Sequence, residues 1–398
     1  MDPGISPFVG GPGAVTVAGT GDAGFSGDGG SALSAELDGP SAVAVDGAGD
    51  VFIADSGNCR VREVPAHNGT QFSIPMRAGI IYTVAGAACG TGASQIGSVS
   101  SVAVDPAGDL FVADPTGDRV FEIPATGGDH LGTSMSEGRL TAVAGDGTAG
   151  AAGDGESATS AELNEPTGVA VDSEGDLLIA DSANCEVREV AAHDGTQWGI
   201  PMIAGRIYTI AGTGACGQVG DGGAATGAEL WDPVDVAVGP AGDVLVSDAG
   251  AEEVLDLASQ AGTYYGVHIL ADHMAVVAGI GSYGPYLIDG LSATGQTAEL
   301  NSPAGIAVTS SGDLLIADTY SSCIREVPTR QEAERGTELV PGDMYTVAGG
   351  LPTGPGGDST EWVGTRMLYP VGLAVTSDGG VFYADQGANV VRELSARG

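Results

Sequence analysis

Short runs in which apolar residues alternate with small or polar ones recur along the whole chain. The first complete set reads SAVAVD from Ser41, DVFIAD from Asp50, CRVREV from Cys59 and IYTVAG from Ile81. Gly, Asp and Asn residues separate the runs, and alternation bounded by such residues is typical of β-strands joined in hairpins. We name the strands a, b, c and d in this order. The pattern predicts an antiparallel unit of four strands.

The four-strand unit is repeated six times. The Asp that ends strand b recurs at intervals of 59 to 70 residues, as Asp55, Asp114, Asp181, Asp248, Asp318 and Asp385. A Val-Ala-Gly or Ile-Ala-Gly triplet in strand d recurs with a similar period. Such units are too long for one turn of a helical solenoid, and radial repetition of four-stranded sheets forms a propeller. We therefore predict an all-β fold, a six-bladed β-propeller of four-stranded antiparallel blades.

The two ends of the chain complement each other. Residues 15–19 form a strand of type d with no a, b or c strand before it, and residues 370–395 hold a, b and c strands with no d strand after them. We expect the first strand to complete the last blade, which removes the open sheet edges that invite aggregation. Residues 1–14 are then an N-terminal extension, and residues 15–398 form a single domain.

The six units, from residue 15 to the end of the chain, resemble a known repeat, most strongly in blades 1 and 3. GPSAVAVDGAGDVFIADSGNCRVREV (39–64) and EPTGVAVDSEGDLLIADSANCEVREV (165–190) are similar to NHL repeats. The preceding GFSGDGGSALSAELDGP (24–40) resembles the Gly-rich connector of bacterial secreted NHL-repeat proteins and of the NHL domain of teneurins. The resemblance implies a six-bladed propeller. It implies an interaction platform more than any particular activity.

The charge of the chain limits the classes of partner that it can bind. There are 52 acidic residues against 13 basic ones, all of them Arg, and the formal net charge is −39. A surface this negative repels phosphate backbones and anionic membranes, so we expect no nucleic acid partner. The RNA binding of some NHL domains uses a basic face and is not carried over. The carboxylates serve solubility on one interpretation and bind Ca²⁺ loosely on another; no other cofactor is expected.

Four of the five cysteines form two matched pairs. Cys59 begins a strand c and Cys89 follows the neighbouring strand d, and Cys185 and Cys216 repeat this arrangement. The start of c lies beside the end of d, and opposed antiparallel residues are about 4.5–5.5 Å apart, within disulfide range. Blades 2, 4 and 6 lack both positions, which favours disulfides over zinc ligation or independent burial. Cys323 is one residue out of register and has no partner position, so we predict a free thiol.

The cysteines also bear on location. Disulfides form in oxidising compartments, which favours an extracellular or cell-surface protein. The N-terminal MDPGISPFVGG has neither a basic nor an apolar segment of the kind a signal peptide carries, so we expect that the leader is not present in this chain. No apolar run approaches the 18 residues of a membrane-spanning helix, and no membrane insertion is expected.

Strand a of each blade is expected to line the central channel. Near its start one position reads Ala42, Ser101, Gly168, Asp235, Gly305 and Gly372, so Asp235 is the lone charge. Asp235 is either a ligand or metal contact at the channel mouth or a hydrated carboxylate. The five histidines fall in the c–d segments, away from the axis, which excludes a three-His zinc site in the channel. We predict no catalytic residues and no metal site.

The c–d segments hold several of the scarce aromatic residues, Phe72, Trp198, Tyr264 and Tyr265. They are either anchors for a protein or glycan partner or a cover for the blade edges. On this basis we predict a non-enzymatic, secreted or surface-displayed binding scaffold, a module of a larger protein. The alternatives are a calcium-assisted, lactonase-like hydrolase using Asp235 at the channel mouth, as in related six-bladed propellers, and a structural subunit of an extracellular assembly.

Overall fold

The structure is a computed structural model that describes residues 13–87, 89–90, 92, 95–282, 289–295, 298–334, 337–350 and 365–394, with the backbone alone at 332–334 and 337. Its regular structure is almost entirely β-strand. The helices in these residues are single 3-10 turns at Ala32–Ser34, Ser56–Asn58, Ala158–Ser160, Ser182–Asn184, Ala225–Gly227 and Gln386–Ala388. None of them has the length and apolarity that crossing a bilayer requires.

The strands form six antiparallel sheets with the order a-b-c-d, which confirms the predicted six-bladed propeller. The a strands are Pro40–Val45, Ser101–Val104, Pro166–Val171, Pro233–Val238, Pro303–Val308 and Pro370–Val375. The b strands are Val51–Asp55, Leu110–Asp114, Leu177–Asp181, Val244–Asp248, Leu314–Asp318 and Val381–Asp385. The c strands are Arg60–Val64, Arg119–Ile123, Glu186–Val190, Glu253–Leu257, Cys323–Val327 and Val390–Leu394.

The d strands are Tyr82–Ala85, Thr141–Ala144, Ile207–Ala211, Met274–Gly279, Asp343–Gly349 and, for blade 6, Ala14–Ala18. Leu291–Ser292 adds a short edge strand to blade 5. Between c and d, blades 1 to 5 each carry a separate hairpin: Gly69–Gln71 with Ile74–Met76, Gly128–His130 with Thr133–Met135, Gly195–Gln197 with Ile200–Met202, Gly262–Tyr264 with Val267–Ile269, and Glu332–Glu334 with Thr337–Leu339. We call the face of the b–c turns and d–a connectors the top, and the face of the a–b turns and hairpins the bottom.

The hydrophobic core lies between neighbouring blades. Phe52 of blade 1 packs in one cluster with Val112 and Phe121 of blade 2, and the other clusters repeat this arrangement around the ring. Each strand b is buried along its whole length because a blade covers it on either side. This explains why the b strands read as nearly continuous apolar runs.

The first strand closes the ring, as predicted. Ala14–Ala18 pairs antiparallel with Val390–Leu394, and Ala14 lies opposite Leu394. Val17 shares a core cluster with Ile53 of blade 1 and Phe382 of blade 6. The predicted N-terminal extension falls almost wholly on residues 1–12, outside the described residues.

The last residue of the recurrent triplet in strand d has to be Gly for steric reasons. In blade 2, Gly145 has a φ of 84°, and a Cβ added there would lie 2.2 Å from the carbonyl oxygen of Asp118. Asp118 is itself in the left-handed conformation just before strand c. The same approach of Gly to a left-handed residue occurs in all six blades, including Gly86 to Cys59 and Gly212 to Cys185. Only Gly combines a positive φ with so close a neighbour at low cost.

The Asp that ends each strand b holds the preceding connector. Its carboxylate accepts hydrogen bonds from backbone N–H groups 16 or 17 residues earlier, at distances of 2.7 to 2.9 Å. The pairs are Asp55 with Asp38, Asp114 with Gly97 and Ser98, Asp181 with Asn164, Asp248 with Trp231 and Asp232, Asp318 with Asn301, and Asp385 with Leu368. These recurrent acids therefore fix the top-face loops.

Candidate functional site

The a strands surround a central cavity of about 230 Å³. Five of the six predicted channel positions line it: Ala42, Ser101, Asp235, Gly305 and Gly372. The sixth, Gly168, lies against Asp235, where an added Cβ would be 2.6 Å from the Asp235 Cα. An added Cβ at Gly372 would be 2.4 Å from the Ala42 Cα. Neighbouring a strands thus approach too closely for large side chains, which explains why most residues at this position are small.

Asp235 is the one ionisable side chain among the described residues that line the cavity. Its Oδ2 accepts a hydrogen bond of 3.0 Å from the backbone N–H of Ile306 in the next blade. Ser101 makes the corresponding bond to Val169 N, at 3.3 Å. Burial raises the pKa of Asp235 to about 7, and the backbone N–H groups of Ile306 and Val236 partly offset that rise. The carboxyl group therefore joins two blades as well as facing the channel.

Hydroxyl groups at the upper end of the channel are also engaged between blades. The hydroxyl of Thr167 donates to Val234 O at 3.0 Å, and that of Ser100 donates to Thr167 O at 2.7 Å. Thr319 in blade 5 donates likewise to Pro370 O at 2.8 Å. These hydroxyl groups hold neighbouring blades together, and among the described residues that line the cavity no second ionisable group lies beside Asp235.

Besides Phe25, whose ring lies under the Arg60 guanidinium, the top face exposes three large aromatic residues that sequence reasoning missed. Trp231 is 53% exposed, Tyr320 60% and Tyr369 40%. Trp231 and Tyr369 lie in the connectors just before strand a of blades 4 and 6, and Tyr320 lies in the b–c turn of blade 5. The rings of Tyr320 and Tyr369 meet edge to face with centroids 5.7 Å apart. We call these residues the top-face aromatics. Comparison of the blades could have found them, because blade 1 has small or polar residues at the same places. These are Asp38, Gly57 and Gly39, which correspond to Trp231, Tyr320 and Tyr369.

The aromatics that the sequence offered as partner-binding anchors are placed differently. Phe72 and Tyr265 are each only 5% exposed, because their rings pack onto the blades. Both have a φ of 50° at the tip of a hairpin, where the left-handed backbone turns the ring back onto the blade. Phe72 meets Phe52 there, with centroids 6.2 Å apart.

Trp198 and Tyr264 are half-buried. The indole Nε1 of Trp198 donates to Glu189 Oε2 at 2.6 Å, and the hydroxyl of Tyr264 donates to Gln260 O at 2.9 Å. Trp198 also lines a bottom-face cleft of about 530 Å³ together with Asp172 and Glu174. Of the four predicted residues, these two keep part of their surface accessible.

The bottom face contains a recurrent pair of buried acids in each of blades 1 to 5. The first acid directly precedes strand b and the second is the fourth residue of strand c: Asp50 with Glu63, Asp109 with Glu122, Asp176 with Glu189, Asp243 with Asp256, and Asp313 with Glu326. We call them the bottom carboxylate pairs. In blades 1, 3 and 4, burial and the neighbouring Asp raise the pKa of Glu63, Glu189 and Asp256 to about 8. Sequence reasoning did not anticipate these pairs.

In blades 1 to 3, the hairpin brings a third polar group to the carboxylate pair. At the last residue of the first hairpin strand stand Gln71, His130, Gln197 and Tyr264 in blades 1 to 4. The amide of Gln71, assigned with its nitrogen toward the acids, donates to Asp50 Oδ2 at 3.1 Å and Glu63 Oε1 at 3.0 Å. Gln197 donates to Asp176 Oδ2 at 2.6 Å. His130 lies in a c–d segment, as expected, and its ring contacts Asp109 and Glu122.

The cysteines lie as their spacing predicts. Cys59 is bonded to Cys89 and Cys185 to Cys216, with Cα atoms 5.2 and 5.3 Å apart. Cys323 is a free, buried thiol. It lies opposite Asp318 in the register, and burial raises its pKa well above the usual range. Both disulfides join the start of strand c to the connector that follows strand d, on the top face.

Comparison with known proteins agrees with the fold. The NHL repeat matches residues 37–63, 163–189 and 300–326. No curated protein matches the chain. A Bacteroides thetaiotaomicron protein of unknown function has a structure with a TM-score of 0.62 at 17% identity, covering 96% of this chain and 75% of that one.

Two further solved structures are similar. An auxiliary nutrient binding protein from Bacteroides ovatus has a TM-score of 0.58 at 13% identity, covering 96% of this chain and 76% of its own. A gluconolactonase from Xanthomonas campestris has a TM-score of 0.51 at 12% identity, covering 90% and 86%. At such identities the likeness shows the fold alone.

Proposed function

We propose that this chain, a six-bladed β-propeller with NHL repeats in blades 1, 3 and 5, is a non-enzymatic binding scaffold that works outside the cell or on its surface. Residues 15–398 act as one domain in this proposal, as a module of a larger protein. The partner is a protein or a glycan that contacts the top face. The top-face aromatics are the observation that carries the proposal.

Exposed aromatic rings are unusual on a chain with so few of them. Aromatic residues make up 5% of the sequence, yet Trp231, Tyr320 and Tyr369 keep 40 to 60% of their surface accessible. Aromatic side chains supply large contact areas at low entropic cost and are enriched in binding hot spots. Their rings can stack on a sugar face or insert between the side chains of a protein. These residues are spread over blades 4 to 6, on the side where connectors and turns meet.

The channel supports binding more than catalysis. Acid–base or metal-assisted hydrolysis needs several polar groups that converge on one substrate atom. Asp235 stands by itself among the described lining residues, and one of its oxygens is held by Ile306 N. Such a channel offers little to stabilise a transition state.

Two observations support the location. The two disulfides suit an oxidising compartment. The similar structure from Bacteroides ovatus is that of an auxiliary nutrient binding protein, which agrees with a binding role at the cell exterior. The net charge of −39 favours neutral or cationic partners over nucleic acid and anionic lipid.

The test is a binding screen of the oxidised full chain against glycan and protein arrays. We expect Trp231→Ala and Tyr320→Ala each to weaken the partner found by about tenfold or more. Leu270→Ala is the matched control, because Leu270 is a bottom-face residue that is 53% exposed. Equal loss in the control, or unchanged binding in both aromatic variants, would remove the top face from the proposal.

A lactonase-like hydrolase is the second candidate, and the accessible carboxyl group of Asp235 in the channel is what favours it. The similar structure from Xanthomonas campestris is that of a gluconolactonase. Hydrolysis of sugar lactones in the presence of Ca²⁺ that disappears in Asp235→Asn would establish this candidate. Self-association of the chain into large assemblies in the same preparations would instead favour a structural subunit.

A further inference from the structure

In blade 2, the bottom carboxylate pair lies in direct contact with an imidazole. His130 Nδ1 lies 2.8 Å from Glu122 Oε1 and 3.1 Å from Asp109 Oδ2. Asp109 precedes strand b, Glu122 lies in strand c, and His130 ends the first strand of the hairpin. The three residues are 13 and 8 positions apart in the sequence, so the fold and not a local motif brings them together.

The contact of the other ring nitrogen of His130 indicates the tautomer of the neutral imidazole. His130 Nε2 lies 3.1 Å from the carbonyl oxygen of Thr126. A carbonyl oxygen can only accept a hydrogen bond, so the proton of the neutral ring is on Nε2. In that tautomer the lone pair of Nδ1 faces two carboxylates, an arrangement that either a proton on Nδ1 or a cation held by the three groups would satisfy. In metal sites, a ligating His commonly donates its other N–H to a carbonyl in this way.

Glu122 supplies the second observation. Its side chain is fully buried, and within the described part of the chain its Oε2 has no hydrogen-bond partner. A buried carboxylate oxygen without a donor is costly unless a cation is near. The equivalent acids of other blades also have an unpartnered oxygen, such as Glu189 Oε1 in blade 3, but Glu189 Oε2 receives a hydrogen bond from the Trp198 indole. Blade 2 has Leu131 at the position of Trp198, so it lacks that donor.

We propose that Asp109, Glu122 and His130 bind a divalent transition-metal ion of the zinc type. One imidazole nitrogen and two carboxylate oxygens are donors that Zn²⁺ accepts, whereas Ca²⁺ and Mg²⁺ prefer oxygen alone. The candidate ligand atoms all lie within 4.8 Å of one another. Ligands about 2.0–2.2 Å from a tetrahedral ion are separated by about 3.4 Å, so His130 Nδ1 needs to move away from Glu122 Oε1 by about 0.6 Å and from Asp109 Oδ2 by about 0.3 Å.

The ion would fasten the hairpin Gly128–Met135 to the body of blade 2. Glu122 is fully buried, but the His130 side chain is 15% exposed, which leaves solvent access for entry of the ion and for a water in the fourth position. Two carboxylates and a neutral imidazole carry a charge that a divalent cation neutralises. This role is independent of the top-face binding proposed above.

Blade 1 has the same pair of acids with an amide in place of the imidazole. Gln71 occupies the place of His130 in blade 1 and donates to both acids there. His130→Gln should therefore fold normally and satisfy the carboxylates by hydrogen bonds. The reverse change, Gln71→His, places an imidazole beside Asp50 and Glu63 and should create a second site.

The experiment uses the full oxidised chain, freed of metal with a chelator and titrated with Zn²⁺ and with Co²⁺. We expect one equivalent to bind to the wild type, with the visible absorption of Co²⁺ in a low-coordinate site. His130→Gln should weaken binding by about tenfold or more and retain the fold by circular dichroism. Gln71→His should bind a second equivalent, and excess Ca²⁺ should compete poorly.

Several results would overturn the proposal. Stoichiometric binding in His130→Gln equal to that of the wild type would place the ion elsewhere, for example on the four other histidines. A folded wild-type chain that binds neither ion would show that a proton on Nδ1 takes the place of the cation. Displacement by Ca²⁺ as readily as by Zn²⁺ would assign the metal to the surface carboxylates.

Discussion

Gln71 and His130 end equivalent hairpin strands in neighbouring blades, and each turns a nitrogen onto a buried pair of acids. The backbone position is the same, but an amide satisfies the acids in blade 1 and an imidazole meets them in blade 2. The repeat therefore fixes where a third polar group stands and leaves its chemistry to each blade. Properties that differ between blades are expected at this position.

The bottom carboxylate pairs should make the protein less stable as the pH rises. Burial raises the pKa of Glu189 from 4.5 to about 8 in the folded state. Between these values the folded chain retains a proton that the unfolded chain has released, so the free energy of unfolding falls with increasing pH. The expected loss is on the order of 1 kcal/mol for each pH unit and each such group. Urea unfolding between pH 5 and pH 8 measures it.

Glu189→Gln isolates this effect from the general repulsion among acids. The variant should be more stable than the wild type at pH 8 and close to it at pH 5, because the amide never ionises. Glu156→Gln removes a charge from an exposed position and serves as the control. If both variants shift the pH profile equally, surface charge and not the buried pair is responsible.

Each disulfide should contribute a similar amount to stability. The two bridges close loops with sequence separations of 30 and 31 residues, for which the loop-entropy model gives about 3–4 kcal/mol each. Replacing Cys59 and Cys89 together by Ser should lower the free energy of unfolding by this amount, and so should replacing Cys185 and Cys216. Denaturant titration with and without reductant gives the value. Insensitivity of the wild type to reductant would contradict it.

Gly145→Ala should be strongly destabilising. The added methyl group would meet the carbonyl oxygen of Asp118 at 2.2 Å, at a φ of 84°. We expect a loss of about 2–4 kcal/mol from the collision added to the cost of a left-handed Ala. Gly29→Ala is the control, since Gly29 has a φ of 75° and open space around its Cα. It should lose only about 1–2 kcal/mol. Equal melting temperatures for the two variants would show that the φ angle alone matters.

Arg188→Met should also be costly. Arg188 is fully buried, donates to Glu162 O at 2.7 Å and Asp154 Oδ1 at 2.6 Å, and lies 3.7 Å from Asp181 Oδ2. Removal of one partner leaves Asp181 buried without its cation, a change worth about 3–5 kcal/mol. The double variant with Asp181→Asn should recover part of the loss, as measured by thermal unfolding. Arg206→Met, at an exposed position, should cost far less.

The repeats made most of the fold predictable. Alternating runs and the period of Asp55, Asp114 and Asp181 are local signals, so blade number, strand order and ring closure could be read from the chain. The disulfides were predictable for the same reason, because the ladder between strands c and d sets which residues face each other. The placement of side chains outside the regular strands was not predictable in this way.

The contacts that matter for the candidate sites arise between distant segments. His130 meets Asp109 only because a hairpin folds under its own blade, and no spacing in the sequence records that return. Phe72 looked like an exposed loop residue until a left-handed backbone turned its ring inward. Trp231, in contrast, is a large ring at a position where blade 1 has Asp38. Comparison of the blades would have identified it as an exposed aromatic residue.

The closure of the last blade by Ala14–Ala18 has a consequence for biosynthesis. This strand leaves the ribosome well before its partner Val390–Leu394, which is made more than 370 residues later. At about 5–20 residues per second, the strand waits roughly 20–75 seconds with an unpaired edge. Blades 1 to 5 can form during that interval from segments already made. The ring itself becomes continuous only once translation has passed Leu394, so an interrupted chain is an open arc with two free edges.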